Sequence, residues 1–160
     1  MKNYRIIMTI VLLMIMGRTM ADNLAAENIT AQAGESKQIA IALKNPNHQY
    51  AGFQFDLVLP EGFTLSQNDK GGFAASLNGE RIDDHTLSVA DMGKQTYRFL
   101  SFSLNNSAFS GTEGVLVYAT VQVGSNVAIG EYNATIKSQI LTDPDGEEVR
   151  WENLSFVLSM

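Results

Sequence analysis

The chain has 160 residues, the length of one domain, with 45% hydrophobic and 18% charged side chains, an ordinary globular balance. Eleven Lys and Arg stand against 17 Asp and Glu, a formal net charge of −6, and there is no Cys. These values exclude a disulfide framework, a thiol nucleophile and a thiolate metal site. They argue against disorder and against nucleic acid as a partner, because that affinity comes mostly from Lys and Arg meeting phosphates.

The first element is an address. Lys2 and Arg5 open a positive segment, Ile6 to Met16 is an eleven-residue apolar run, and Thr19-Met20-Ala21 places small residues three before and immediately before a cut. That is the pattern of a secretory signal. The run is shorter than the roughly 20 helical residues needed to cross a hydrocarbon core, so an uncleaved anchor helix is the weaker alternative. The expected organisation is a signal peptide at 1–21 and a single domain at 22–160, with no membrane span after cleavage. No Cys follows the run, so a lipoprotein anchor is not expected. The expected location is secreted, periplasmic or cell-surface. Losing Lys2, Arg5 and Arg18 leaves 8 basic against 17 acidic side chains, a net charge of −9.

The rest reads as short alternating runs broken by turn residues, which predicts an all-β domain. Ile29 to Ala33 and Lys37 to Leu43 are the first strands, separated by Gly34-Glu35. Tyr50 to Leu59 is the clearest: Phe53, Phe55, Leu57 and Leu59 alternate with Gly52, Gln54, Asp56 and Val58, so the two sets face opposite ways. Pro60-Glu61-Gly62 ends it. Residues 61–85 are irregular and polar, with short strands at Phe63 to Leu65 and Phe73 to Leu77. Thr86 to Asp91 follows. Tyr97 to Leu104 alternates again, with Leu100, Phe102 and Leu104 on one face and Phe99, Ser101 and Ser103 on the other. Gly114 to Val123 is apolar on both faces and is expected to be central. Tyr132 to Leu141 and Val149 to Leu158 close the domain, joined through the turn Asp143-Pro144-Asp145-Gly146. Eight or nine strands at this spacing predict a β-sandwich or jelly roll.

The order of these features resembles the cohesin-like domains, whose jelly-roll sandwich is related to that of some carbohydrate-binding modules. The likeness is carried by the segments ENITAQAGESKQIAIALKN, YAGFQFDLVLPEGFTL, YRFLSFSLNNSAFSGTEGVLVYATVQV and GEYNATIKSQILTDPDGEEV. It covers essentially all of 24–158 and looks closest to the short secreted cohesin-like proteins of gut Bacteroidetes. The resemblance implies a binding module. In cohesins one sheet face binds a calcium-loaded dockerin helix pair. The matching outward positions here are Gly52, Gln54 and Asp56 on one strand, and Phe99, Ser101 and Ser103 on another.

Other candidate sites come from residue type. The turn acids Asp143, Asp145 and Glu147 offer hard oxygen ligands of the kind calcium takes. The spacing of a helix–loop–helix calcium loop is not met, so a hairpin turn with solvated acids is the preferred reading and calcium the weaker alternative. No other cofactor is implied. Trp151, the one Trp, falls on the more polar side of its strand, and Tyr50 and Tyr97 join it as candidate exposed aromatics. Such rings stack on sugars or anchor protein interfaces, or are covered by a sandwich edge. No nucleophile motif accompanies His48 or His85, both expected in solvated loops, so a hydrolase triad is absent. The expectation is a secreted, non-catalytic module that binds an extracytoplasmic protein through an open sheet face. A polysaccharide-binding module and a structural envelope domain without a dedicated ligand are the alternatives.

Overall fold

The computed structural model describes residues 20–160, so the expected signal segment lies outside them except for Met20 and Ala21. Twelve strands follow in chain order. They are β1 (Asn23–Ala26), β2 (Ile29–Thr30), β3 (Ser36–Lys44), β4 (Gly52–Val58), β5 (Phe63–Leu65) and β6 (Ala75–Leu77). The rest are β7 (His85–Asp91), β8 (Thr96–Ser103), β9 (Val115–Val123), β10 (Glu131–Thr142), β11 (Glu148–Trp151) and β12 (Leu154–Ser159). The count exceeds eight or nine because several are only two to four residues long. The long strands fall where alternation placed them. β1 was not read from sequence, and the last predicted strand divides at Glu152-Asn153 into β11 and β12.

The strands form two sheets. One has the order β1-β3-β9-β5, with β6 also on β9; the other runs β2-β12-β10-β4-β8-β7, with β11 also on β10. β9 is central, pairing with β3 on one side and with β5 and β6 on the other. Central describes its edges; its faces differ, with Val117, Ala119, Val121 and Val123 buried between the sheets and Tyr118, Thr120 and Gln122 only partly covered. All pairings are antiparallel except β2 with β12. That one parallel pair brings the start of the domain beside its end.

The alternation on β4 drives Phe53, Phe55, Leu57 and Leu59 between the sheets, where each is at most 3% exposed. They meet Ile39, Ile41 and Leu43 of β3, and Leu116, Val117 and Val121 of β9, in one continuous core. Phe55 and Phe99 stack with centroids 5.0 Å apart. Burying each such side chain contributes about 1.5–3 kcal/mol.

β10 carries the one irregularity that matters for the outer surface. Its register on β4 breaks between Lys137 and Ile140, where Ser138 takes a positive φ of 54°. This bulge tucks Gln139 inside at 3% exposed. Its amide donates to the carbonyl of Glu152 at 2.6 Å, at the corner between β11 and β12. The extra residue resets the alternation, so Lys137, Ile140 and Thr142 all share the face of Asp56, Gln54 and Gly52.

Two buried polar groups hold the loops at one end. Arg81 is 5% exposed with no carboxylate partner. Its guanidinium donates to the carbonyls of Ser110, Leu43 and Gly114 and to Asn45 Oδ1. Desolvation lowers its pKa. Asp22 accepts from Asn47 N (3.0 Å), Asn47 Nδ2 (3.1 Å), His48 Nδ1 (2.7 Å) and Tyr50 OH (2.9 Å). Burial opposes the charge on Asp22, but these donors outweigh it and hold the carboxyl below its usual range.

Candidate functional site

The outward face of the β10-β4-β8-β7 part of the second sheet follows directly from register. Residues directly opposite on neighbouring strands project to the same side. Three rows result. Lys137, Asp56 and Arg98 form the first, Ile140, Gln54, Leu100 and Ser88 the second, and Thr142, Gly52, Phe102 and Thr86 the third.

This placement corrects one half of the sequence expectation. Gly52, Gln54 and Asp56 are on the outward face as expected. Phe99, Ser101 and Ser103 are not: they point between the sheets at 0%, 1% and 7% exposed. Their strand turns Leu100 and Phe102 outward instead, at 39% and 44% exposed. The reason is pairing. Phe55 faces Phe99 across the β4–β8 ladder, and Gln54 faces Leu100, so burying the Phe55 side of β4 buries the serine side of β8.

The three rows differ in chemistry. In the first, Arg98 donates to both oxygens of Asp56, at 2.7 and 2.9 Å. The pair raises the Arg98 pKa by its hydrogen bonds and charge. Asp56 is only 5% exposed, so it is a partner of Arg98 and not a free acceptor. The second row sets Ile140 and Leu100 on either side of Gln54, with Ser88 beyond. In the third, Gly52 leaves a gap that no side chain could fill, because a Cβ there would sit 2.9 Å from the Ser101 carbonyl oxygen. The result is a shallow groove of about 230 Å³ whose walls include Gln54, Leu100, Phe102, Ile140 and Thr142. Asp143 and Glu148 stand at its rim, Arg150 lies opposite Ile140 on β11, and Leu104, 79% exposed, follows β8 in the phase of Phe102. Sequence reasoning set Leu100 and Phe102 apart as one face but gave them the wrong direction. It missed Arg98, Lys137 and Ile140, and only a pairing register could have found them.

The candidate aromatics do not form an exposed row. Tyr50 and Tyr97 are 4% and 5% exposed. Tyr50 packs edge-on against Trp151 at 5.4 Å, with its hydroxyl on Asp22 and its pKa raised, first by burial and then by that carboxylate. Trp151 is half-buried and packs against the core. Tyr97 meets Phe73 edge-on at 5.4 Å. Tyr50 and Tyr97 are thus part of the core, and Trp151 is partly covered against it.

The turn acids form the expected hairpin. Asp143 Oδ1 accepts from the backbone N–H groups of Asp145 (2.9 Å) and Glu147 (2.8 Å), and Gly146 closes the turn with φ 89°. Among the described residues no group of three or more His, Asp or Glu side chains is placed to hold a metal ion. His85 is a second correction. It is 8% exposed, not solvated, and stacks on Phe109 at 4.2 Å. Its Nδ1 accepts from the Asp83 N–H at 3.3 Å, and burial lowers its pKa against the opposing charges of Asp84 and Asp83. His48 is exposed as expected.

No protein-family model matches the chain, and no curated protein matches it in sequence. Solved structures do match its shape. The sixth cohesin of scaffoldin B from Acetivibrio cellulolyticus, solved in complex with a dockerin, superposes with a TM-score of 0.71 at 12% identity, covering 88% of this chain and 99% of that one. A cohesin from Clostridium acetobutylicum gives 0.69 at 15% identity, covering 86% and 88%. A non-cellulosomal cohesin from the archaeon Archaeoglobus fulgidus gives 0.64 at 14%, covering 87% and 91%. The fold is thus the cohesin jelly-roll sandwich, as the sequence resemblance implied. No helix among the described residues is long and apolar enough to cross a membrane.

Proposed function

We propose that the protein is an exported, non-catalytic binding module whose ligand is another protein, seated on the outward face of β10, β4, β8 and β7. The observation that carries this reading is the apolar strip of Leu100, Phe102 and Ile140 around Gly52. Apolar side chains placed side by side on an open sheet, with charged residues at either end, are what a protein interface buries at its centre and rings with polar groups. The face is shallow, which suits a protein surface better than a small molecule. Two of the superposing structures are cohesins solved with dockerins, and this supports a partner of that kind, carrying its own calcium.

The test is capture of partners by the tagged protein from the culture supernatant and lysate of its source, with Phe102→Asp and Gln54→Asp beside the parent. Ser76→Asp serves as control, since Ser76 is exposed on the other sheet. The expected result is one protein retained by the parent and by the control and lost with Phe102→Asp. A chelator that also abolishes capture marks a calcium-dependent partner. Capture that survives both face variants overturns the reading.

A further inference from the structure

Past the Phe102 row of the binding face, a histidine is sealed beneath the chain that leaves β8. Residues 104–109 carry Leu104, 79% exposed, and Asn106, which lines the groove around Gly52. Two carboxylates clasp this segment. Asp84 accepts from the Ser103 hydroxyl, from Asn105 N (3.1 Å) and from Asn105 Nδ2 (2.8 Å). Asp83 accepts from the Ser107 hydroxyl at 3.0 Å. Ser107 N donates to Ser103 Oγ at 2.8 Å, and Phe109 N donates to the Tyr50 carbonyl at 2.8 Å.

The ring of His85 lies inside this clasp. It is 8% exposed and stacks on Phe109 at 4.2 Å. Its Nδ1 accepts from the Asp83 N–H at 3.3 Å. A backbone N–H can only donate, so Nδ1 is the bare nitrogen and the ring proton is on Nε2. Nε2 is closed to solvent and has no hydrogen-bond partner. The site therefore suits the neutral ring poorly and the charged ring worse. A proton on Nδ1 sets donor against donor at Asp83, and the charge it brings is cut off from water.

The charges that act on the ring are Asp84 and Asp83, which favour the imidazolium; burial outweighs them. The other neighbours are uncharged. They are Phe109 and the backbone of Ser107 in the segment, the backbone of Ala51 before β4, and Ser103 opposite on β8. Arg81 directs its guanidinium to the carbonyls of Ser110, Leu43 and Gly114 and to Asn45 Oδ1. A protonated ring has two routes to relief, and both undo the clasp. It reaches water when Phe109 and its segment lift away. A carboxylate that turns to pair with it leaves Ser107, or Ser103 and Asn105.

We infer that His85 is an acid-operated latch: protonation of its ring releases residues 104–109 and carries Leu104 and Asn106 away from the binding face. That a bound partner is then weakened rests on the protein-binding reading above; the release of the segment does not. The sign follows from linkage. The closed segment disfavours the proton, so falling pH favours the open one, beginning below the usual histidine value of about 6.5. The Ser103 hydroxyl holds the Asp84 carboxyl below its usual range, so Asp84 stays charged through that window.

The test is amide hydrogen exchange by NMR on the protein alone, from about pH 7.5 to about pH 5, each rate compared with that of an unstructured amide at the same pH. Protection of Asn105, Ser107 and Phe109 is expected to fall at least about threefold, with the midpoint at which the His85 ring itself titrates. The amides of Phe55 and Val121, within the sheets, are expected to remain far slower, which marks the opening as local. His85→Asn keeps an acceptor near the place of Nδ1 and takes up no proton, so its segment is expected to hold its protection across the range. Where that variant does not fold, the match of midpoints in the parent decides. No partner is present, so a failure of the protein-binding reading leaves this outcome untouched. Segment protection that is constant through the His85 titration overturns the inference. So does a fall that His85→Asn shares, one that follows only the carboxylate range, or segment amides no faster than those of Phe55 and Val121.

Discussion

His85 shows how much a single buried group can add to pH dependence. Its ring is held neutral because burial on Phe109 disfavours the charge, and because Nδ1 is needed as an acceptor for the Asp83 N–H. Its pKa is lower folded than unfolded, so between those two values the unfolded chain binds more protons. Stability therefore rises with pH across that window. The contribution is complete above the usual histidine value of about 6.5 and is lost as pH falls below it. Asp22 acts in the same sense but lower: its depressed pKa confers stability above the ordinary carboxyl value, lost only as pH falls beneath that. Urea midpoints measured from pH 7 to pH 5 are expected to fall for the parent and to flatten for His85→Phe. An equal fall in both would show that His85 is not the group responsible. None of this was visible in the sequence, where His85 follows Asp83-Asp84 in a polar stretch and reads as solvated. Arg81 was equally hidden, because its partners are three backbone carbonyls and an amide from segments distant in sequence.

At the scale of the strand, β4 and β8 mark where periodicity informs and where it does not. β4 alternates large apolar side chains with Gly52, Gln54 and Asp56, so only one phase buries a core, and the sequence shows it. β8 has aromatic or aliphatic residues in both phases, Tyr97 and Phe99 in one and Leu100 and Phe102 in the other. Polarity alone sends the serines outward. Pairing with β4 decides otherwise, because a one-residue slip would flip every side chain of β8. The two phases separate cleanly in a pair of variants. Phe99→Ala removes a fully buried ring stacked on Phe55 and is expected to cost about 3–5 kcal/mol in urea unfolding. Phe102→Ala is expected to cost less than about 1 kcal/mol, since its ring is partly in water, while still weakening partner capture. Equal losses in stability would place both rings in the core and contradict the register described above.

The whole molecule is closed by its termini. β2 pairs in parallel with β12, Ile29 beside Leu158 and Thr30 beside Ser159, and Ala31 N donates to the Ser159 carbonyl at 2.9 Å. β12 also covers β10 along Glu131 to Ile136 and sends Phe156 and Leu158, each 2% exposed, into the core. The sheet that holds β12 cannot be completed until these last strands are in place, and in both sheets strands that neighbour one another in space are far apart in sequence. Sandwiches built this way fold slowly, in milliseconds to seconds. Removing residues 154–160 leaves β10 with an open edge and the core without two large side chains. The expected result is loss of the cooperative urea transition and of dispersed amide resonances, since two such deletions cost about 4–10 kcal/mol against a total of about 5–15 kcal/mol for a domain. Ile129→Ser, which alters a residue 93% exposed at the same end of the sandwich, is the control expected to keep both. A shortened chain that still unfolds cooperatively would mean that the seven-stranded sheet is stable without its terminal strand, and that closure by β12 orders the edge without determining the fold.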